Sequence, residues 1–183
     1  MFSSALVAPD TDEQLRQRFL SLNQPLSVGD EVSFGSVLED TQGNILKSHG
    51  RNFANHCILS FQAGMENTAK EWVKNKAKKL TSAAQQLDKS ESAKFARENG
   101  QKRPPFINLL LSASGYRYFS IEPTKFSNEF DGGMKSAAKR LNDSQTKWEE
   151  SYEKDIHLMC TLADDNLDDL IKSTDNLIAE VKF

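Results

Sequence analysis

The chain has 183 residues, a net charge of −3, and apolar and charged fractions of 38% and 27%. It is long enough to bury a core of one domain, or one and a half. The slightly acidic balance argues against a nucleic-acid binder, and no run approaches the ~18 apolar residues of a membrane span. Charge is uneven: Glu66 to Arg103 holds ten Lys/Arg against five Asp/Glu, and Asp143 to Phe183 four against eleven. Such runs read first as solvated helix faces, and second as complementary patches for a partner.

Residues 1–35 read as an N-terminal arm punctuated by Pro9, Pro25 and Gly29, with a short helix over Asp12 to Leu22 capped by Asp10 or Thr11. The first residues lack a basic region and a long apolar run, a poor signal peptide, so a cytoplasmic location is expected. Residues 36–53 read as an irregular loop. His56 to Phe61 alternates as a strand, with Cys57, Leu59 and Phe61 on one face and His56, Ile58 and Ser60 on the other. A helix follows from Glu66, its stripe Ala69, Trp72, Val73, Ala77, Leu80, Ala84 and Leu87, with Lys70, Lys74, Lys78 and Lys79 on the wet side.

Asp88 to Arg103 is polar and stops at Pro104-Pro105, as a frayed helix or loop would. Phe106 to Leu111 is almost wholly apolar, which suits a central strand covered on both faces. Ser112 to Tyr116 starts a helical turn. Asn128 to Leu141 is a helix expected to turn Phe130, Met134, Ala137, Ala138 and Leu141 inward. Asp155 to Leu162 is a third strand. A last helix, capped by Asp164 or Asp165, carries Leu167, Leu170, Ile171, Thr174, Ile178 and Val181. Strands and helices in this order give an α+β fold: a ferredoxin-like sandwich over residues 36–183, an antiparallel sheet with helices packed on one face. That plan calls for a closing strand after the last helix, one missing, short or supplied by the arm.

Cys57 and Cys160 sit in apolar runs and read as buried thiols; no Cys/His spacing suits zinc. Hydrolase elbows, phosphate loops and His-Glu-x-x-His helices are absent from the sequence.

Four segments in order carry more specific information. Asp40 to Arg51 contains Gln42-Gly43-Asn44-Ile45-Leu46-Lys47 and Gly50-Arg51. Asn108 to Tyr116 reads Asn-Leu-Leu-Leu-Ser-Ala-Ser-Gly-Tyr. Phe130 to Asp143 contains Phe-Asp-Gly-Gly-Met. Trp148 precedes Asp155-Ile156-His157-Leu158. Together, from residue 38 to about 170, they resemble the N-terminal half of the dye-decolourising, DyP-type haem peroxidases. Ser112 and Tyr116 depart from the family's Thr and Leu.

The resemblance implies two ferredoxin-like domains with haem between them, and oxidation of dyes and phenols by peroxide. That chemistry needs an axial His to tune the iron. It also needs a distal Asp to move a proton and a distal Arg to stabilise charge. In the family these residues lie beyond the segments matched here, so no catalytic residue is assigned and the chain alone is expected to be inactive.

For contact with haem the candidates are His49, Arg51 and His157; no metal ligand is assigned. For each histidine the plainer reading is structural. Asp131-Gly132 imitates the family's Gly-x-x-Asp-Gly but lacks its first Gly, and reads as an exposed helix acid. The expected partner is a C-terminal haem-binding half or a second copy of the chain. Two other readings are a non-catalytic scaffold module and a stand-alone haem-binding ferredoxin-like protein with His157 as ligand.

Overall fold

The computed structural model describes residues 14, 31–45, 48–86, 98–100, 102–123, 126–138, 140–144 and 147–181. The expected helix over Asp12 to Leu22 (Gln14 apart) and most of Asp88 to Arg103 lie outside these residues. The chain divides into two compact units, one of residues 1–49 with 81–102, the other of 50–80 with 103–183.

In the first unit a helix, α1 (Glu31–Asp40), occupies part of the stretch expected as loop. Its last turn buries Val37 and Leu38, and Thr41 closes it by donating its hydroxyl to the Val37 carbonyl at 2.7 Å. Short helical structure at 83–86 belongs to the same unit.

The second unit holds the sheet. Strands β1 (Phe53–Leu59), β2 (Phe106–Leu111) and β3 (Leu158–Asp164) lie in the order β1-β3-β2, with β3 antiparallel to both. Interleaved are α2 (Glu66–Ala77), α3 (Ala113–Tyr118), α4 (Asn128–Ala137), the single turn α5 (Glu150–Glu153) and α6 (Leu167–Glu180). This is an α+β fold of the ferredoxin-like kind. No described helix is long and apolar enough to cross a membrane.

One face of the sheet builds the core. Leu158, Cys160 and Leu162 of β3 pack with Leu109, Phe61, Ala69, Phe119, Leu170 and Leu177, all at most 9% exposed. On the opposite face Phe106, Asn108, Thr161 and Ala163 are buried at one end of the sheet. At the other end Ile58, Met159 and Leu110 form one cross-strand row, with Ile58 and Leu110 40% and 45% exposed.

Several expectations are corrected. Among the described strands the central one is β3, and β2 lies at an edge; an apolar run does not by itself say how many neighbours a strand has. Met134 and Leu141 are 70% and 65% exposed. Gly133, at φ 67° and ψ −179°, breaks the helical path and with it the spacing that would have turned them inward. Helix α6 is capped by Asn166, whose side chain accepts from the Asp169 N–H at 3.1 Å. Its buried residues are Leu170 and Leu177, and Leu167, Ile171 and Ile178 stay exposed.

Helix α3 is docked by its N-terminus. Ser112 caps it, accepting from the Gly115 N–H at 3.0 Å, and its own N–H reaches the His157 carbonyl at 3.2 Å. Ser114 donates to the Ile156 carbonyl at 2.7 Å. A Cβ at Gly115 would stand 2.0 Å from the His157 carbonyl oxygen, so only glycine permits this approach. Gly115→Ala should therefore cost about 3 kcal/mol or more in urea unfolding. Removing the exposed cap of α4 with Ser127→Ala should cost about 1 kcal/mol.

Candidate functional site

The motif-bearing segment falls partly in each unit. In the first, residues 41–45 and 48–49 form a closed loop. Thr41 and Gly43 exchange backbone hydrogen bonds with Ala83 and Thr81 at 2.7 and 2.8 Å. Asn44 takes a left-handed φ of 66°, which asparagine tolerates better than most residues. Its side-chain oxygen accepts from the His49 N–H at 3.1 Å. Gln86 spans the loop, accepting from the Asn44 N–H at 2.8 Å and donating to the Ser48 carbonyl at 2.7 Å. His49 is thus placed by its backbone within an Asn44–Gln86 frame. Gln86 was not anticipated, since it lies far along the chain from the loop it fastens.

In the second unit the segment continues into Gly50 and Arg51. Arg51 donates to Asp165 Oδ2 at 2.9 Å and to the Pro104 carbonyl at 2.7 Å. Arg103 donates to the same Oδ2 through Nε at 2.8 Å and through Nη2, and Nη2 also reaches the Gly50 carbonyl at 3.2 Å. The guanidiniums are largely buried, at 10% and 13% exposure, with the carboxylate at 31%. One aspartate after β3 thereby fastens the approaches to β1 and β2. Desolvation pushes the Asp165 carboxyl up, but hydrogen bonds from Arg103 and Arg51, and their charges, outweigh it and hold it below the usual carboxylate range.

A depressed carboxylate pKa stabilises the fold above the unfolded value near ~3.9, and that contribution is lost as pH falls through the folded value. Asp165→Asn should lower stability at pH 7 by on the order of 1–2 kcal/mol, a charge-assisted bond discounted for partial exposure. Below about pH 4 the difference should shrink when both are unfolded in urea.

His157 lies at the other end of β3, about 26 Å along the strand direction from Asp165. Its Nδ1 accepts from the Phe61 N–H at 2.8 Å. Its ring stacks on Tyr118 and Phe61, at centroid distances of 4.7 and 5.8 Å. Tyr118 is itself tied to the Gln62 carbonyl at 2.6 Å. The neutral ring therefore carries its proton on Nε2. Burial lowers its pKa, partly offset by Asp155.

Because the folded-state value lies below the unfolded one near ~6.5, His157 supports the fold fully above that pH, and the support declines as pH falls through the folded value. Unfolding midpoints of the wild type should drop between pH 8 and pH 5.5, and His157→Gln should flatten that drop.

Arg51, through Asp165, and His157 thus lie at opposite ends of β3 and form no joint site. Asp131 is held by Arg117, which donates to its carbonyl at 3.0 Å and to its carboxylate, and both side chains are about half exposed. Its setting is that of a surface ion pair. Among the described residues, no group of three or more His, Cys, Asp or Glu is placed to hold a metal ion. Arg103 was missed at the sequence level, and Gly115, though part of a family-like segment, was not singled out for its packing. Arg103 sits in a polar stretch with no pattern of its own, and the need for Gly115 comes from a strand more than forty residues later.

Comparison with known proteins places this architecture. Residues 40–182 match the family profile described as the DyP dimeric alpha+beta barrel domain. The solved DyP-type peroxidase of Anabaena sp. superposes with a TM-score of 0.73 at 32% identity, covering 82% of this chain and 33% of that one. DyP2 from Amycolatopsis sp. gives 0.67 at 24% identity, covering 80% and 30%. A mutant dye-decolorizing peroxidase from Pleurotus ostreatus gives 0.61 at 21%, covering 86% and 32%; these last two likenesses concern the fold alone. The chain spans about a third of the length of these solved chains. No curated protein sequence matches. The chain belongs to the DyP-type peroxidase family, whose N-terminal α+β half is formed here by residues 40–182.

Proposed function

We propose that this chain forms one wall of a haem cleft in a DyP-type peroxidase, and that a second α+β unit brings the iron ligand and the distal Asp and Arg. The family match over residues 40–182 carries this reading. The exposed end of the sheet face opposite α2 and α6 supports it: the row Ile58–Met159–Leu110 is an apolar strip suited to a second sheet. The reaction of the whole assembly would be peroxide-dependent oxidation of dyes and phenols.

Haem enters this reading as a group held chiefly by the other half. His157 does not fit as an axial ligand. Its Nδ1 is committed to the Phe61 N–H, and aromatic rings stack against it, so ligation would dismantle the packing around it. Arg51 is committed to Asp165 and the Pro104 carbonyl, which suits an architectural part. A cytoplasmic setting is consistent with two free thiols, Cys57 and Cys160, in register on adjacent strands, where an oxidising compartment would favour pairing.

A haemin titration of the purified chain tests this. No saturable Soret shift and no peroxide-dependent dye oxidation are expected from the 183 residues alone, and both are expected once a haem-binding second half is supplied. A saturable shift abolished by His157→Ala or His49→Ala would overturn the assignment of the ligand to another unit.

A further inference from the structure

The corner where the chain leaves β1 is held by a side chain and not by the ladder. Strand β1 ends at Leu59, whose carbonyl accepts from the His157 N–H at 2.9 Å. Two residues on, the Phe61 N–H has passed beyond the ladder, and among the described residues its acceptor is Nδ1 of the His157 ring, at 2.8 Å. Phe61 is only 9% exposed and belongs to the core. Its ring meets Trp72 of α2, Tyr118 of α3 and Phe119, at centroid distances of 6.4, 5.3 and 5.7 Å. One amide therefore anchors the point where β1, α2 and α3 converge. The residues around it carry lighter ties. Ser60 Oγ donates to the Asp155 carbonyl at 2.5 Å, and the Gln62 carbonyl accepts from Tyr118 Oη at 2.6 Å and from the Met65 N–H at 3.2 Å.

The bond to Phe61 exists only with a neutral ring. An imidazole accepts at one nitrogen while neutral and at neither once protonated. After protonation Nδ1–H and the Phe61 N–H face each other as two donors, and a buried amide has lost its acceptor. The groups around the ring give the cation somewhere else to go. Asp155, two residues before it, favours the charged form. Lys135 of α4, 3.8 Å from that carboxylate, tempers the pull. From α3, Tyr118 presents a phenol that stays neutral, because desolvation and then Glu66 at the start of α2 push its pKa up. The phenol ring lies 4.7 Å from the imidazole, so an imidazolium keeps a cation–π contact after it leaves the amide. Each form of the ring thus has its own place, the neutral one on Phe61 and the charged one over Tyr118 towards Asp155.

We propose that His157 is a pH-sensitive latch on the corner between β1 and α2: its protonation releases Phe61 and opens residues 60–65 while the three-stranded sheet stays closed. The sheet is spared because its ladder is made of backbone groups that do not titrate. The far end of β3 is fastened separately, by Asp165 and its two arginines. Opening uncovers the rings of Trp72, Tyr118 and Phe119 against which Phe61 packs. The inference concerns the helix-covered side of the sheet and does not depend on the haem-cleft reading.

Residue-resolved amide exchange in the 183-residue chain, with each rate divided by the intrinsic rate at that pH, tests this between pH 8 and about pH 5. Protection at Phe61 and Met65 should fall at least about tenfold further than protection along β3, which follows global stability alone. The midpoint should coincide with the His157 ring titration followed by NMR on the same sample, and ring nitrogen shifts at pH 8 should show Nδ1 without a proton. His157→Gln, whose side-chain oxygen accepts at any pH, should keep Phe61 protected throughout. Asp155→Asn should move the midpoint to lower pH. Protection at Phe61 that ignores the His157 titration, or that falls by the same factor as protection along β3, would overturn the proposal, and the wild-type chain alone decides between these outcomes.

Discussion

The constraint on which the fold rests is that β3 must be bonded on both of its edges at once while both of its ends are held. Its edges are taken by β1 and β2, neither of which touches the other. At its exit, Asp165 gathers two arginines that belong to the approaches of those same strands. At its start, the carbonyls of Ile156 and His157 receive Ser114 and Ser112, and the His157 ring receives the Phe61 N–H. Backbone groups that would otherwise be buried without partners are thereby paired at both ends. The strand is positioned by polar bonds at its ends and by apolar packing along its length.

This arrangement gives the family-like segments a mainly architectural meaning. Asn44 closes a loop, Arg51 fastens a strand exit, and Gly115 lets a helix approach a carbonyl. A motif shared with an enzyme family is easily taken for a piece of its chemistry. Here these three positions each have a local structural task, and the chemistry of the family asks for further groups beyond them.

Much of this was legible in the sequence, for physical reasons that can be named. The run Phe106 to Leu111 is apolar and bounded by prolines and a serine cap, and the strand has those limits. The alternation through Cys57 to Leu59 and Leu158 to Leu162 fixed which face is inward. What sequence could not supply was partner number and long-range bonding. Nothing in β2 says that it has one neighbour, and nothing in Arg103 says that an aspartate sixty-two residues on awaits it. Asp164 or Asp165 looked like a helix cap because carboxylates favour that place, but the cap falls to Asn166 while Asp165 bonds two arginines. Local preference lost to a tertiary bond in each case.

The strand order also bears on how the chain reaches this state. Strands β1 and β2 are both complete in sequence well before β3, and each needs β3 as its hydrogen-bonding neighbour in the sheet. The Phe53–Asp164 pairing closes a loop of more than a hundred residues. During synthesis on the ribosome, the chain must emerge at least as far as Leu158 before β1 and β2 can pair with β3. Such non-local closure slows folding, and for that interval the apolar segments around Cys57 and Leu109 remain open to whatever they meet, including chaperones and one another.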